Sequence, residues 1–250
     1  GQSDAINKGW RRATGAILAW LNSDDRYAPG ALAGAAAAFA RSAGAAVVYG
    51  DWEIIDQDSC RTSLVQGDYS RQKLLEFWRG YYGIGQPASF FSHHAIESQG
   101  MLNESLRYVM DYELYLRVSS SGDFINAQQL LASFRVHGES KTESNLSYFA
   151  EEHVRVAQGL RQSHEIVDFA DYMRNVKAFY ASTLVASVLR GVPFHGWHPA
   201  KMLARALWYD PRLMQKPWIW RLTVQTIVGP AWTQRIRRLR SFPSLTARRS

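Results

Sequence analysis

The stretch "AILAWLNSDDRYAPG", residues 16–30, sets an apolar run directly before Asn22, Ser23, Asp24 and Asp25. AILAWL reads as a buried strand. The four polar residues after it are turn formers, and they also suit the start of the helix that follows Pro29. In open α/β sheets, however, ligands gather beyond the carboxyl ends of strands, which is where this cluster falls. A hard divalent ion takes one or two protein carboxylates and completes its shell with phosphate oxygens and water. Turn and cation site both stay open on these residues alone.

Working outward, "SDAINKGWRRATG" (residues 3–15) predicts a helix capped by Ser3 and closed by Gly15, with Ala5, Ile6 and Trp10 on its apolar side. An Ala-rich helix is expected from about Gly30 to Ala43, then a strand over "AAVVYGDWEII" with a hairpin near Asp56–Cys60. Helix, strand, helix, strand is the alternation of an open α/β sheet. Beyond it come a short helix in "SRQKLLEFWRG", a short strand in "PASFFS", a helix in "MDYELYLRVSSSG" closed by Gly122, and two extended pieces in "FINAQQLLASFRVHG". After about Ser147 the pattern turns to long helices, which predicts two regions, 1–147 and 148–250.

Charge follows the same division. Residues 1–150 hold 13 Lys+Arg against 16 Asp+Glu, whereas residues 151–250 hold 16 against 6. Five of the nine tryptophans (Trp197, Trp208, Trp218, Trp220, Trp232) fall in the last 60 positions. A basic, Trp-bearing helical region is expected to meet a partner or a surface. The single cysteine, Cys60, excludes an internal disulfide, and the first residues carry no signal-peptide pattern, so a cytoplasmic setting is expected.

The ordered set of segments resembles a known family. "GQSDAINKGWRRATGAILAWLNSDDRYAPGAL", then "GQPASFFS", "MDYELYLR" and "FRVHGESKT", is similar to the catalytic domain of family 2 glycosyltransferases over roughly the first 140 residues. The resemblance implies an α/β chain with an incomplete GT-A (Rossmann-like) open sheet, followed by an α-helical C-terminal region. The chain opens on a helix where the family has its first strands and nucleotide-base pocket, so the N-terminal nucleotide-binding segment is expected to be missing. The implied activity is inverting, metal-dependent transfer of a sugar from a nucleotide diphosphate donor to an acceptor hydroxyl. The expected acceptor is a glycan or lipid-linked glycan of the cell envelope.

Residue roles follow from the same resemblance. Asn22, Ser23 and Asp24 fall on the family's DxD motif, with Asn22 in place of the first Asp. The implied ligands of a Mg²⁺ or Mn²⁺ ion are Asp24, Asp25 and His137, and the donor side takes Gln2, Asp4, Asn7, Asn22 and Arg135. "MDYEL" lies on the segment whose second residue is the family's base, here Asp111, preceded by Met110 instead of Glu. A carboxylate there takes the proton of the attacking hydroxyl; the same residue also reads as an ordinary acid in the first turn of a helix. Gln86, Pro87 and Glu113 are implied on the acceptor side.

The remaining histidines form no zinc pattern, and one cysteine is too few for the usual structural sets. "KPWIWRLTVQTIVGPAWTQRIRRLRSF" lacks the ~18 unbroken apolar residues of a spanning helix. It reads as a helix lying in the interface of the inner membrane face, or as a solvated face whose tryptophans pack on the rest of the chain. Two rivals from other classes stand beside the transferase: a non-catalytic basic module on membrane or nucleic acid, and a metal-dependent phosphohydrolase. Nucleic acid is not expected as a partner, because residues 1–150 are net acidic and carry no recognition motif.

Overall fold

The fold was obtained as a computed structural model, which describes residues 1–80, 83–136, 146–162, 165–190 and 198–228. In chain order its elements begin with α1 (Gln2–Trp10), β1 (Ile17–Leu18), β2 (Arg26–Tyr27), α2 (Ala31–Arg41), β3 (Ala45–Ile55), β4 (Arg61–Val65) and α3 (Arg71–Leu75). They continue through β5 (Ser89–Ser92), α4 (His93–Gln99), α5 (Met110–Val118), β6 (Asp123–Arg135) and α6 (Leu146–Gly159) to α7 (Phe169–Arg190), α8 (Pro199–Tyr209) and α9 (Pro217–Val228). Two compact units result: Gly1–Glu143 with Glu151–Val156, and Ser144–Ala150 with Ala157–Ser250.

The first unit is built on one mixed sheet of order β1-β5-β3-β6-β2, with β4 hairpin-paired to β3. β3 and β6 run parallel at its centre, while β5 and β2 are antiparallel to their neighbours. The β-branched and aromatic residues of β3 are buried over its first six positions, as befits a central strand covered on both faces. Ala31, Ala35 and Ala38 recur on one face of α2, and their small side chains let that helix settle onto Val48, Trp52, Phe90 and Leu131. Gly30 starts α2 with φ +80°, a left-handed conformation that a residue without Cβ adopts at little cost. Gly50 serves a different need, because a Cβ there would sit 2.6 Å from the Gln129 carbonyl oxygen. The register of β3 and β6 shifts at that point, and Gln128 takes φ +55°.

Several elements differ from the sequence expectation. α1 ends at Trp10 on an αR Arg11, and its buried face is Ser3, Asn7 and Trp10 instead of an apolar stripe through Ala5, which is exposed. Only Ile17 and Leu18 of AILAWL pair in the sheet. The chain beyond them is held by side chains: the Trp10 indole donates to the Ala19 carbonyl at 3.3 Å and packs edge-on against Trp20, which in turn stacks on Phe91 of β5. β6 is one bulged strand where two pieces were expected. α5 stops at Val118, four residues before Gly122, because Ser119, Ser120 and Ser121 each turn their hydroxyl back onto the carbonyl three residues earlier.

The second unit is helical. Tyr172, Met173, Val176, Tyr180 and Leu184 of α7 are buried, as are Met202, Leu203, Ala206 and Tyr209 of α8 and Ile219 and Leu222 of α9. Burial between Tyr172 and Tyr209 pushes the Tyr180 hydroxyl well above the ordinary tyrosine range. α8 begins on His198, whose ring nitrogen accepts the Ala200 N–H at 3.2 Å, with Pro199 preset in the first turn.

Candidate functional site

The two adjacent aspartates that follow β1 have different surroundings. Asp25 is 8% exposed, whereas Asp24 keeps part of its surface in solvent. The Asp25 carboxylate accepts the Arg135 backbone N–H at 2.9 Å and the Asn22 side-chain amide at 3.0 Å. Burial raises its pKa above the ordinary carboxylate value, and those two hydrogen bonds oppose the rise without cancelling it.

Asn22 is the hub of a wider network. Its Nδ2 donates to both Asp25 and Gln86 Oε1, the latter at 3.0 Å, while its Oδ1 accepts from Gln2 Nε2 at 2.8 Å. Gln86 donates in turn to the Trp20 carbonyl at 3.0 Å, from a 3-10 turn whose second residue is the buried Pro87. Proline presets φ in that turn, which fixes the direction from which Gln86 approaches. Gln2, the Asn22–Asp25 loop and Gln86 are thereby joined in one hydrogen-bonded group.

Arg135 closes the loop from the other side. Its Nε donates to the Asp24 carbonyl at 3.0 Å, and its guanidinium reaches the Asp56 and Gln57 carbonyls at 2.7 and 3.1 Å and Ser59 Oγ at 3.0 Å. Arg135, which the resemblance places on the donor side, here fastens the acidic loop to the β3–β4 turn. Ser59, in that turn with φ +66°, was not foreseen. The Asp56–Cys60 turn signal in the sequence was the trace of it.

Asp111 lies in the first turn of α5. Burial raises its pKa, against the lowering effect of the Tyr112 N–H, which donates to Oδ1 at 2.8 Å. α1 connects this residue with the acidic loop: Gln2 bonds Asn22, and the next residue, Ser3, donates to the Leu106 carbonyl at 3.0 Å and lies 2.8 Å from Met110 Sδ. Consecutive Cα atoms stand about 3.8 Å apart. One end of one helix therefore touches both the loop that holds Asp24 and the residue next to Asp111.

The other predicted residues are engaged with further partners. Asn7 is buried and clamps the segment before α5, with its Nδ2 on the Leu102 carbonyl and Glu104 and its Oδ1 accepting the Leu102 N–H. Held in this way, the Asn7 amide braces that segment. Asp4 pairs with Lys8 one turn on, at 2.9 Å, and that hydrogen bond lowers its pKa. Glu113 forms a two-pronged pair with Arg117 at 2.7 and 2.9 Å, and Arg117 also holds the carbonyls of Gln99, Gly100 and Met101. His137 lies outside the described residues.

Among the described residues no group of three or more His, Cys, Asp or Glu side chains converges as a metal position. A Mg²⁺ or Mn²⁺ ion that relies on substrate phosphates needs only one or two carboxylates. Both Asp25 oxygens already accept hydrogen bonds in a buried position, and through them Asp25 holds the loop.

Residues 1–100, which include the acidic loop and Gln86, match the family model described as glycosyl transferase family 2. An uncharacterized glycosyltransferase of Rickettsia typhi is 25% identical over 156 residues, covering 60% of this chain and 49% of the relative. A counterpart from Rickettsia prowazekii is 24% identical over the same length and coverage. The chain thus spans about half the length of the curated relatives it matches. Among solved structures, S. aureus TarS has a TM-score of 0.52 at 12% identity, over 91% of this chain and 41% of TarS. Its 1–349 portion gives 0.51, over 97% and 72%. At that identity the likeness speaks for the fold, which is that of the GT-A glycosyltransferases. Residues 1–100 thus resemble glycosyl transferase family 2, and the sheet that carries them has the GT-A fold.

Proposed function

We propose that the chain transfers a sugar from a nucleotide diphosphate donor to an acceptor hydroxyl, with inversion at the anomeric carbon. The observation that carries this reading is the contact of Gln2 and Ser3, neighbours in α1, with Asn22 of the acidic loop and with Met110 beside Asp111. Asp111 is the base: its carboxylate takes the proton as the acceptor oxygen attacks, and a pKa raised by burial makes it a better proton acceptor than a solvated aspartate. Mg²⁺ or Mn²⁺, held by Asp24 and by phosphate oxygens of the donor, supplies charge neutralisation for the departing diphosphate when bound. Gln2, Asn22 and Gln86 fix the loop between donor and acceptor sides. Asp25 and Arg135 hold Asp24 from behind.

The expected acceptor is a glycan or lipid-linked glycan of the cell envelope, reached from the inner face of the membrane. Among the described residues no helix is long and apolar enough to cross a bilayer. Surface contact is supported instead by the exposed Trp208, Trp218 and Trp220, with Arg205 at 4.7 Å and Lys177 at 5.7 Å over the Trp208 ring. The part of the basic C-terminal stretch beyond Val228 lies outside the described residues.

The test is made on the full-length protein with Mn²⁺ and a panel of UDP- and GDP-hexoses. Asp111→Asn is expected to keep nucleotide binding by calorimetry and to lower turnover by about 10²–10⁴-fold. Asp24→Ala is expected to abolish the Mn²⁺ dependence of nucleotide binding. Undiminished turnover in the first variant removes Asp111 as the base, and unchanged Mn²⁺ dependence in the second removes the cation site.

A further inference from the structure

Helix α5 begins without a cap of its own: Val109, at its N-cap position, makes no side-chain hydrogen bond to the first turn. The backbone N–H groups immediately before the helix are instead taken by a residue more than forty positions later. Glu152, on α6, accepts from Arg107 N at 2.9 Å, from Tyr108 N at 2.7 Å and from Val109 N at 3.2 Å. Three successive N–H groups turned to one side form a concavity suited to an anion, and here the protein's own carboxylate fills it. The Glu152 side chain is 12% exposed, so its bonds are little weakened by solvent. Its neighbour His153 packs its ring 5.0 Å from Phe77 and 4.8 Å from Tyr112, the residue after Asp111. Arg155 adds a bond to the Ser105 carbonyl at 3.2 Å.

We infer that Glu152 is a positioning residue for the transfer reaction: its carboxylate, bonded to the N–H groups of Arg107, Tyr108 and Val109, sets the start of α5 and with it the place of Asp111. The inference rests on the proposed role of Asp111 as base. Two features make the hold specific. The bonds fall on backbone, so they fix the path of the chain two to four residues before Asp111 whatever side chains stand at 107–109. They also act with the Ser3 contact to Met110 from the opposite end of the sequence, so that the residue beside Asp111 is fastened from α1 and the turn before it from α6. A shift of about 1 Å in a reacting group is enough to cost about 100-fold in rate.

The experiment compares wild type, Glu152→Ala, Glu152→Gln and Asp111→Asn in the full-length protein. It measures UDP and GDP release from UDP- and GDP-hexoses, with water or added glycan as acceptor, alongside nucleotide affinity and thermal midpoint. Glu152→Ala is expected to lower kcat about 100-fold at unchanged nucleotide affinity. Glu152→Gln, which keeps a carbonyl acceptor of the same reach, is expected to recover to within about tenfold of wild type. Hydrogen exchange at the amides of 107–109, slow in wild type, is expected to quicken in the Ala variant before any global unfolding. A Glu152→Ala enzyme with wild-type kcat overturns the inference, as does one whose loss of rate only follows its loss of folded protein. If the Ala variant does not fold, a Gln variant that folds but turns over no better than Asp111→Asn overturns it too. Full turnover by Asp111→Asn fails the base assignment instead, and the exchange result at 107–109 still reports on the Glu152 hold.

Discussion

Asn22 stands where the family resemblance of the sequence implies an aspartate, and its surroundings explain why an amide suits this chain. One donor faces the buried Asp25 carboxylate, another faces Gln86 Oε1, and its oxygen faces the Gln2 amide. Asn22→Asp would set a second carboxylate about 3 Å from the first. That variant is expected to lose about 1–3 kcal/mol of stability at neutral pH, read from urea denaturation. The sign with pH follows from protonation: Asp25 already has a raised pKa, so as pH falls through that raised value the proton it takes up relieves the repulsion and the deficit shrinks. In the wild type the same carboxylate favours the folded state most below its ordinary value of 3.8, and that contribution is lost as pH rises through the raised value. Asp111 gives the kinetic counterpart. The acid limb of kcat is expected above the ordinary aspartate value of about 4, with activity disappearing as pH drops through it.

At the scale of elements, the sequence disclosed what periodicity and turn chemistry encode. The alanine face of α2, the β-branched run of β3 and its hairpin were legible because local preference and burial agree there. The extent of β1, the polar buried face of α1 and the end of α5 were not, because each is settled by partners far along the chain or by hydroxyls competing with the helix. Asn7 shows the limit: nothing in "SDAINKG" distinguishes a residue that faces a ligand from one that braces Leu102. Asn22, Asp24 and Asp25 were legible as a group, but which aspartate turns inward was not, since that depends on Arg135, 110 residues after Asp25. The bulge of β6 leads to a prediction at this scale. Gly50→Ala drives a methyl group to 2.6 Å from the Gln129 oxygen and from Leu131. It is expected to cost about 1–3 kcal/mol, seen as a lower denaturation midpoint at an unchanged slope.

Across the whole molecule, charge and aromatic exposure are distributed unevenly. The second unit exposes Trp208 at 61%, Trp220 at 54% and Met214 at 46%, and it carries the basic excess of the sequence. Indoles beside Lys and Arg favour the interface of an anionic bilayer, where the rings meet the headgroup boundary and the cations meet phosphate. Replacing Trp208 and Trp220 together by Ser is expected to weaken binding to phosphatidylcholine/phosphatidylglycerol vesicles by about tenfold, with little change in sugar-nucleotide affinity. Raising salt is expected to weaken wild-type binding in parallel, by screening the cations. Equal sedimentation of wild type and variant with vesicles would remove the membrane assignment.

The manner in which Arg135 reaches the β3–β4 turn decides which side chains of that turn matter to it. Its guanidinium grips the main-chain oxygens of Asp56 and Gln57 and, of the side chains there, only the Ser59 hydroxyl. The Asp56 carboxylate gives the tip its shape by accepting two further backbone N–H groups, those of residues 58 and 60. The side chains of Gln57, Asp58 and Cys60 are released from that task. Substituting those three side chains is expected to leave the acidic loop in its setting, which Asp56, Ser59 and Arg135 hold.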